Sequence, residues 1–173
     1  MSSLAISAIG RDRPGIVAAL ASVLYDLGCN VEDSSMTLLR GNFAMMLVVA
    51  GPDDLRADDV RNALAPVCDD LGMLFSVSAV DDRVSVPHPT HILTVYGADK
   101  PGILFRTTQV LSDQGANITD LESRLVGDPP VYAVMLELEV PADAVARLDD
   151  ALRATAEEIG VDVVLREHEA DVL

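Results

Sequence analysis

The sequence predicts an α+β protein made of two copies of one β-α-β-β-α-β module, and three observations lead there. First, the segment Gly10-Arg11-Asp12-Arg13-Pro14-Gly15-Ile16 recurs as Gly97-Ala98-Asp99-Lys100-Pro101-Gly102-Ile103. The repeat continues in register, Gly28-Cys29-Asn30-Val31 answering Gly115-Ala116-Asn117-Ile118 and the run Phe43 to Leu47 answering Tyr132 to Leu136, which marks a duplicated unit. Second, the hydrophobic spacing alternates between strand and helix periods in the same order in both copies. Third, half of the 173 residues are hydrophobic, enough for two small cores.

The elements follow in order. Leu4, Ile6 and Ala8 alternate as in a strand. Ile16, Val17, Leu20, Val23, Leu24 and Leu27 then share one helix face, closed by Gly28 where a C-terminal glycine belongs. Two β-prone runs, Val31 to Leu39 and Phe43 to Val49, flank Arg40-Gly41-Asn42, which is hairpin-turn chemistry. Val60, Leu64, Val67 and Leu71 repeat with helical spacing, and Pro66 within that pattern predicts a kinked or shortened helix. A strand from about Met73 to Val80 closes the unit. In the second copy Val145, Leu148, Leu152 and Ile159 mark the later helix. The order is the split, ferredoxin-like one: a four-stranded antiparallel sheet with both helices on one face.

On this reading residues 1–84 form the first module and 91–169 the second, joined by a linker at 85–90 and followed by a tail at 170–173. The stretch Asp81 to Thr90 lacks periodicity and carries Pro87 and Pro89, which restrict themselves and their predecessors.

Composition narrows the function. Twelve Lys and Arg against 28 Asp and Glu give a formal net charge of -16, which repels a phosphate backbone and an anionic lipid surface alike. Aromatics are only 3% and Trp is absent, so no base-stacking surface is expected. No apolar run approaches the roughly 20 residues of a membrane span. Cys29 and Cys68 lack metal-ligand spacing, and without a signal-peptide pattern they read as small core residues of a cytoplasmic protein.

Catalytic chemistry finds no support either. His88, His91 and His168 read as linker or solvent-facing residues, with no converging third ligand for a metal and no tuned neighbour for proton transfer. Ser34-Ser35 and Thr107-Thr108 lack a base and a nucleophile-elbow pattern. No enzyme activity, cofactor or metal is expected. The acidic pairs Asp53-Asp54, Asp58-Asp59, Asp69-Asp70 and Glu157-Glu158 fall on or beside the second helix of each module and read as a solvated face, which also suits a basic partner.

The turns Asp12-Arg13-Pro14-Gly15 and Asp99-Lys100-Pro101-Gly102 carry the strongest binding signal. Read structurally, Asp caps the helix, Pro fits its first turn and Gly permits close approach. Read chemically, free N–H groups at a helix start favour a carboxylate, and Asp12 or Asp99 can accept hydrogen bonds from an ammonium group. Asn30 and Asn117 stand two residues past the helix-ending glycines. A helix from Pro14 to Leu27 spans about 20 Å, so Asp12 and Asn30 cannot meet one ligand within a module. An antiparallel pairing of the two halves would bring the Asp12 turn to Asn117 and the Asp99 turn to Asn30.

The Asp-x-Pro-Gly strand-turn-helix, the Gly-x-Asn-Val/Ile helix exit and the element order together resemble the ACT domain. The tandem covering nearly the whole chain is similar to the glycine cleavage system transcriptional repressor family. That resemblance implies an amino acid or other small effector bound where ACT domains pair, by turn residues of one domain and the helix-exit Asn of the other. Carried over, the site comprises Asp12, Arg13, Pro14, Gly15, Asn30 and Val31, with Asp99, Lys100, Pro101, Gly102, Asn117 and Ile118. In serine-binding ACT domains the turn carries a His and an Asn where this chain has Gly10 or Gly97 and Asp12 or Asp99. The resemblance also implies action through a partner protein rather than on DNA, and homo-oligomerisation is expected on either reading because sheet edges are common pairing surfaces. The competing expectation is a ligand-independent interaction module built from the same domains, since exposed sheet edges pair readily.

Overall fold

The computed structural model describes residues 2–80 and 87–168, and the chain divides into two compact units, Met1–Ser85 and Val86–Leu173. Of the expected linker, Ser85 and Val86 lie outside the described residues, as does the tail 170–173. The first unit runs β1 (Ser2–Arg11), α1 (Ile16–Asp26), β2 (Asn30–Leu39), β3 (Asn42–Gly51), α2 (Ala57–Leu71) and β4 (Leu74–Ala79). The second repeats the order with β5 (His91–Ala98), α3 (Ile103–Asp113), β6 (Asn117–Val126), β7 (Val131–Glu139), α4 (Val145–Ile159) and β8 (Val161–Glu167). Each sheet is four-stranded and antiparallel, ordered β2-β3-β1-β4 and β6-β7-β5-β8. The α+β class and the two ferredoxin-like modules are thus as the periodicity implies.

One face of each sheet makes the core. Leu4, Ile6 and Ala8 of β1 stand opposite Val49, Leu47 and Met45 of β3, and Ile16, Leu20 and Leu24 of α1 with Val60, Leu64 and Cys68 of α2 close over them. Leu93, Val95, Leu136, Leu138, Leu148 and Leu152 do the same in the second unit. Each such fully buried aliphatic side chain contributes about 2 kcal/mol of transfer free energy.

Three details differ from the periodic pattern. The buried stripe of α1 is narrower than expected: residues at strict four-residue spacing are covered, while Val17 is 42% exposed. Cys68 rather than Val67 takes the central place on α2, at 0% exposure. The helix also runs unbroken through Pro66 for 15 residues. Pro66 and Asn62 both lie on its exposed side, so the Asn62 carbonyl that loses its partner turns to water.

The hairpin is tighter than the three residues that predicted it. Arg40 (φ 49) and Gly41 (φ 81) form a two-residue turn with both residues left-handed, the type I′ geometry that matches strand twist. His91 is a further correction. It is the first residue of β5 and buried, with Nδ1 2.9 Å from the Thr90 hydroxyl, not a solvent-facing linker residue. Thr90 is itself tied into the second sheet, its N–H donating to Leu138 at 2.7 Å and its carbonyl accepting from the His168 N–H at 2.8 Å. Cys29 and Cys68 are both free thiols, and Thr107 is a buried core residue of α3.

Candidate functional site

The Asp-x-Pro-Gly turn is built differently from a side-chain-capped helix start. Gly15 occupies the N-cap of α1 in the left-handed region (φ 94), and Gly102 does so for α3 (φ 97). Neither helix has a side-chain cap, so Asp12 and Asp99 do not cap them, and Pro14 and Pro101 precede the first turn instead of entering it. The first intrahelical bonds run from Ala19 to the Gly15 carbonyl and from Arg106 to the Gly102 carbonyl, each 2.9 Å. The N–H groups before them have no partner within the helix. Nothing lies within 4 Å of where a β carbon on Gly15 or Gly102 would stand. The result is an open, donor-rich helix start, with the positive end of the helix dipole beneath it.

The rest of the turn is anchored from several directions. The backbone N–H of Asp12 donates to the Gly41 carbonyl at 3.0 Å, tying it to the β2–β3 hairpin. The guanidinium of Arg13 donates to the Leu71 carbonyl at 2.5 Å, at the carboxyl end of α2. The carboxylates of Asp12 and Asp99 are exposed and make no side-chain hydrogen bond among the described residues. Gly10 and Gly97, just before the turns, abut Met73 and Val161: a β carbon there would come within 2.8 Å of either side chain. A side chain at either position presses on its neighbour, most severely at Gly97, where Val161 is β-branched.

At the other end of α1 the exit is a Schellman motif, Gly28 N–H bonding the Tyr25 carbonyl and Cys29 N–H the Leu24 carbonyl, each at 2.9 Å. The α3 exit repeats it, Gly115 to Ser112 at 3.1 Å and Ala116 to Leu111 at 2.9 Å. This reversal delivers Asn30 and Asn117 as the exposed first residues of edge strands β2 and β6. A groove of about 440 Å³ runs beside Asn117, lined also by Thr108, Ser112, Gly115 and Ile118. Asp12 and Asn30 flank the 11 residues of α1, a separation of about 16 Å at 1.5 Å per residue. No single module therefore joins turn and Asn, as the sequence geometry requires.

Three features escaped the sequence reading. The pairing of β2 with β3 slips between Val31 and Asp33, and that of β6 with β7 slips between Ile118 and Asp120, so the duplication includes a β-bulge directly after each candidate Asn. At the second bulge the Thr119 hydroxyl is buried with no hydrogen-bond partner among the described residues. Finally, β2 is exposed along its entire length, and the outer face of α1 is uncharged from Val17 through Ala18, Ala21 and Ser22 to Tyr25, Asp26 standing at its end. The matching glycines and asparagines signalled the bulge positions only indirectly, because strand slippage depends on the partner strand.

Comparison with known proteins follows the same lines. The chain is 29% identical over 150 residues to the glycine cleavage system transcriptional repressor of Escherichia coli, covering 86% of this chain and 78% of the repressor. It is 28% identical over 170 residues to the phosphoserine phosphatase SerB2 of Mycobacterium tuberculosis, covering 96% of this chain but 41% of the phosphatase. A crystal structure of an unknown protein from Galdieria sulphuraria superposes with a TM-score of 0.86 at 30% identity, over 97% of this chain and 99% of that one. The ACT domain family matches residues 2–78 and 90–166, one match on each module. The duplicated sheet-and-helix unit, the open turn and these matches agree: the chain belongs to the ACT domain family, two of whose domains it carries in tandem.

Proposed function

We propose that the protein is a cytoplasmic regulatory sensor of an amino acid or a similar small carboxylate, acting through a protein partner and not as an enzyme. The observation that carries this is the uncapped helix start, present twice, where first-turn N–H groups lack an intrahelical partner and nothing crowds Gly15 or Gly102. A carboxylate satisfies those donors. The carboxylates of Asp12 and Asp99 then receive the ammonium group, and Asn30 or Asn117, out of reach within its own module, completes the site from another ACT domain. Val31 and Ile118 line its apolar side. The Escherichia coli relative is a transcriptional repressor. For a chain of net charge -16, control of transcription runs through another protein, since DNA repels it. The phosphatase relative is matched over less than half its length, which is consistent with a shared regulatory portion and not a shared reaction. Among the described residues no cluster of three or more His, Cys, Asp or Glu is placed to hold a metal, and no helix is long and apolar enough to cross a membrane.

The test is a thermal-shift screen of the full chain against the standard amino acids, followed by calorimetry. A saturable, dose-dependent rise in melting temperature with one or two sites per chain is expected. A folded protein that responds to none of them favours the second reading, a ligand-independent interaction module. The observations behind that alternative are the wholly exposed edge strand β2 and the outer face of α1, uncharged from Val17 to Tyr25.

A further inference from the structure

We propose that Arg13 and Lys100 are positioning residues and not ligand contacts: each ties its turn to the carboxyl end of the second helix in the same module, fixing where the open N–H groups of the first helix point. The consequence for ligand affinity rests on the sensing function proposed above; the tether itself does not.

The last turns of α2 and α4 contain no basic residue. They carry Asp69-Asp70 and Glu157-Glu158 instead, acidic side chains at the end of a helix where the dipole is already negative. The α4 end receives one cation from α3, Arg106 pairing with Glu158 at 2.5 Å, and in both modules the same turn position places a cation at the C-cap itself. Arg13 donates to the Leu71 carbonyl at 2.5 Å, and its Nη2 lies 3.8 Å from where a β carbon on Gly72 would stand. Lys100 Nζ lies 3.6 Å from the corresponding point on Gly160. Gly72 and Gly160 are the left-handed C-caps of the two helices, so each cation sits at the helix end, where its charge counts most.

Arg13 hydrogen-bonds its helix end, while Lys100 stands beside its own as a charge, so positive charge at the helix end, and not the guanidinium fork, is what the two modules share. Arg13, which the resemblance places in the ligand site, is already engaged. That leaves the backbone N–H groups beyond Gly15 and Gly102 as the donors that recognise it.

Backbone amide exchange in the full-length protein decides the matter. Arg13→Ala is expected to accelerate exchange about two- to fivefold, the scale of a surface charge at a helix terminus, in two segments together, 12–19 and 69–73. Arg13→Lys restores most of the protection, and Arg11→Ala, which removes the same charge from the adjoining strand end, leaves both segments unchanged. Unaltered exchange in Arg13→Ala, or equal acceleration in Arg11→Ala, overturns the tether. Calorimetry with glycine as probe is read separately. Weaker binding in Arg13→Ala that Arg13→Lys recovers supports positioning, whereas loss in both variants makes Arg13 a direct contact and overturns it. A wild-type protein that ignores glycine counts against the sensing function for that probe, while the exchange result still decides the tether.

Discussion

Gly97 and Val161 face each other across the β5–β8 pair with no room for a methyl group, since a β carbon on Gly97 would lie 2.8 Å from Val161 Cγ1 and 3.2 Å from its Cα. Gly10 stands in the same relation to Met73, 2.8 Å from Cγ and 3.3 Å from Cα. These glycines let the last strand close against the first just before the turn. Gly97→Ala is expected to destabilise the second module by about 1–3 kcal/mol, the usual cost of overpacking. Gly10→Ala costs less, because the Met73 side chain bends more readily than the β-branched Val161. Urea denaturation of both variants checks the order; a neutral Gly97→Ala contradicts it.

Asp12 and Asp99 leave their helices uncapped, which separates stability from binding. Asp12→Ala and Asp99→Ala are each expected to shift stability by less than about 0.5 kcal/mol, as exposed substitutions do, instead of the roughly 1 kcal/mol of a lost cap. Affinity for the amino acid identified by the screen falls in both. Stability is read from urea midpoints and affinity from calorimetry. Unchanged affinity in both variants removes the carboxylates from the site. In the same assay Asn30→Ala is expected to weaken binding.

The orphaned hydroxyl of Thr119 is a buried polar atom whose desolvation nothing offsets. Thr119→Val keeps the β-branched shape and removes that cost. The expected outcome is a protein as stable as wild type or more stable by up to about 1 kcal/mol. Destabilisation by more than that amount in urea shows that the hydroxyl makes a bond in solution.

Burial pushes the Cys68 thiol above the ordinary thiol range, with the Asp69 carboxylate adding to the rise, and burial alone raises Cys29. Both therefore remain protonated thiols at neutral pH and react slowly with a disulfide reagent such as Ellman's. A raised folded pKa gives stability that is fully present below the unfolded thiol pKa. That stability is lost as pH rises through the folded one, so the first module weakens in alkali. Cys68→Ser and Cys68→Ala variants flatten this alkaline loss. Rapid labelling of Cys68 in the native protein, at a rate matching that of the unfolded chain, contradicts its burial.

Much of this molecule is legible along the chain. The repeat, the element order, a hairpin turn at Arg40-Gly41-Asn42 and the position of Asn30 and Asn117 beyond each helix exit all follow from local spacing and turn chemistry, because helix and strand periods and turn residues act over a few neighbours. Other properties depend on residues far apart in sequence. Gly15 starts α1 without an Asp12 cap, and Cys68 displaces Val67 from the core line. His91 is buried beside Thr90, and the sheet slips at Glu32 and Thr119. Arg13 is bonded to Leu71 and not left free for a ligand. Each of these was decided by what the fold brings alongside: a partner strand sets register, the opposing helix sets burial, and the end of a helix attracts the nearest cation whatever its distance in sequence.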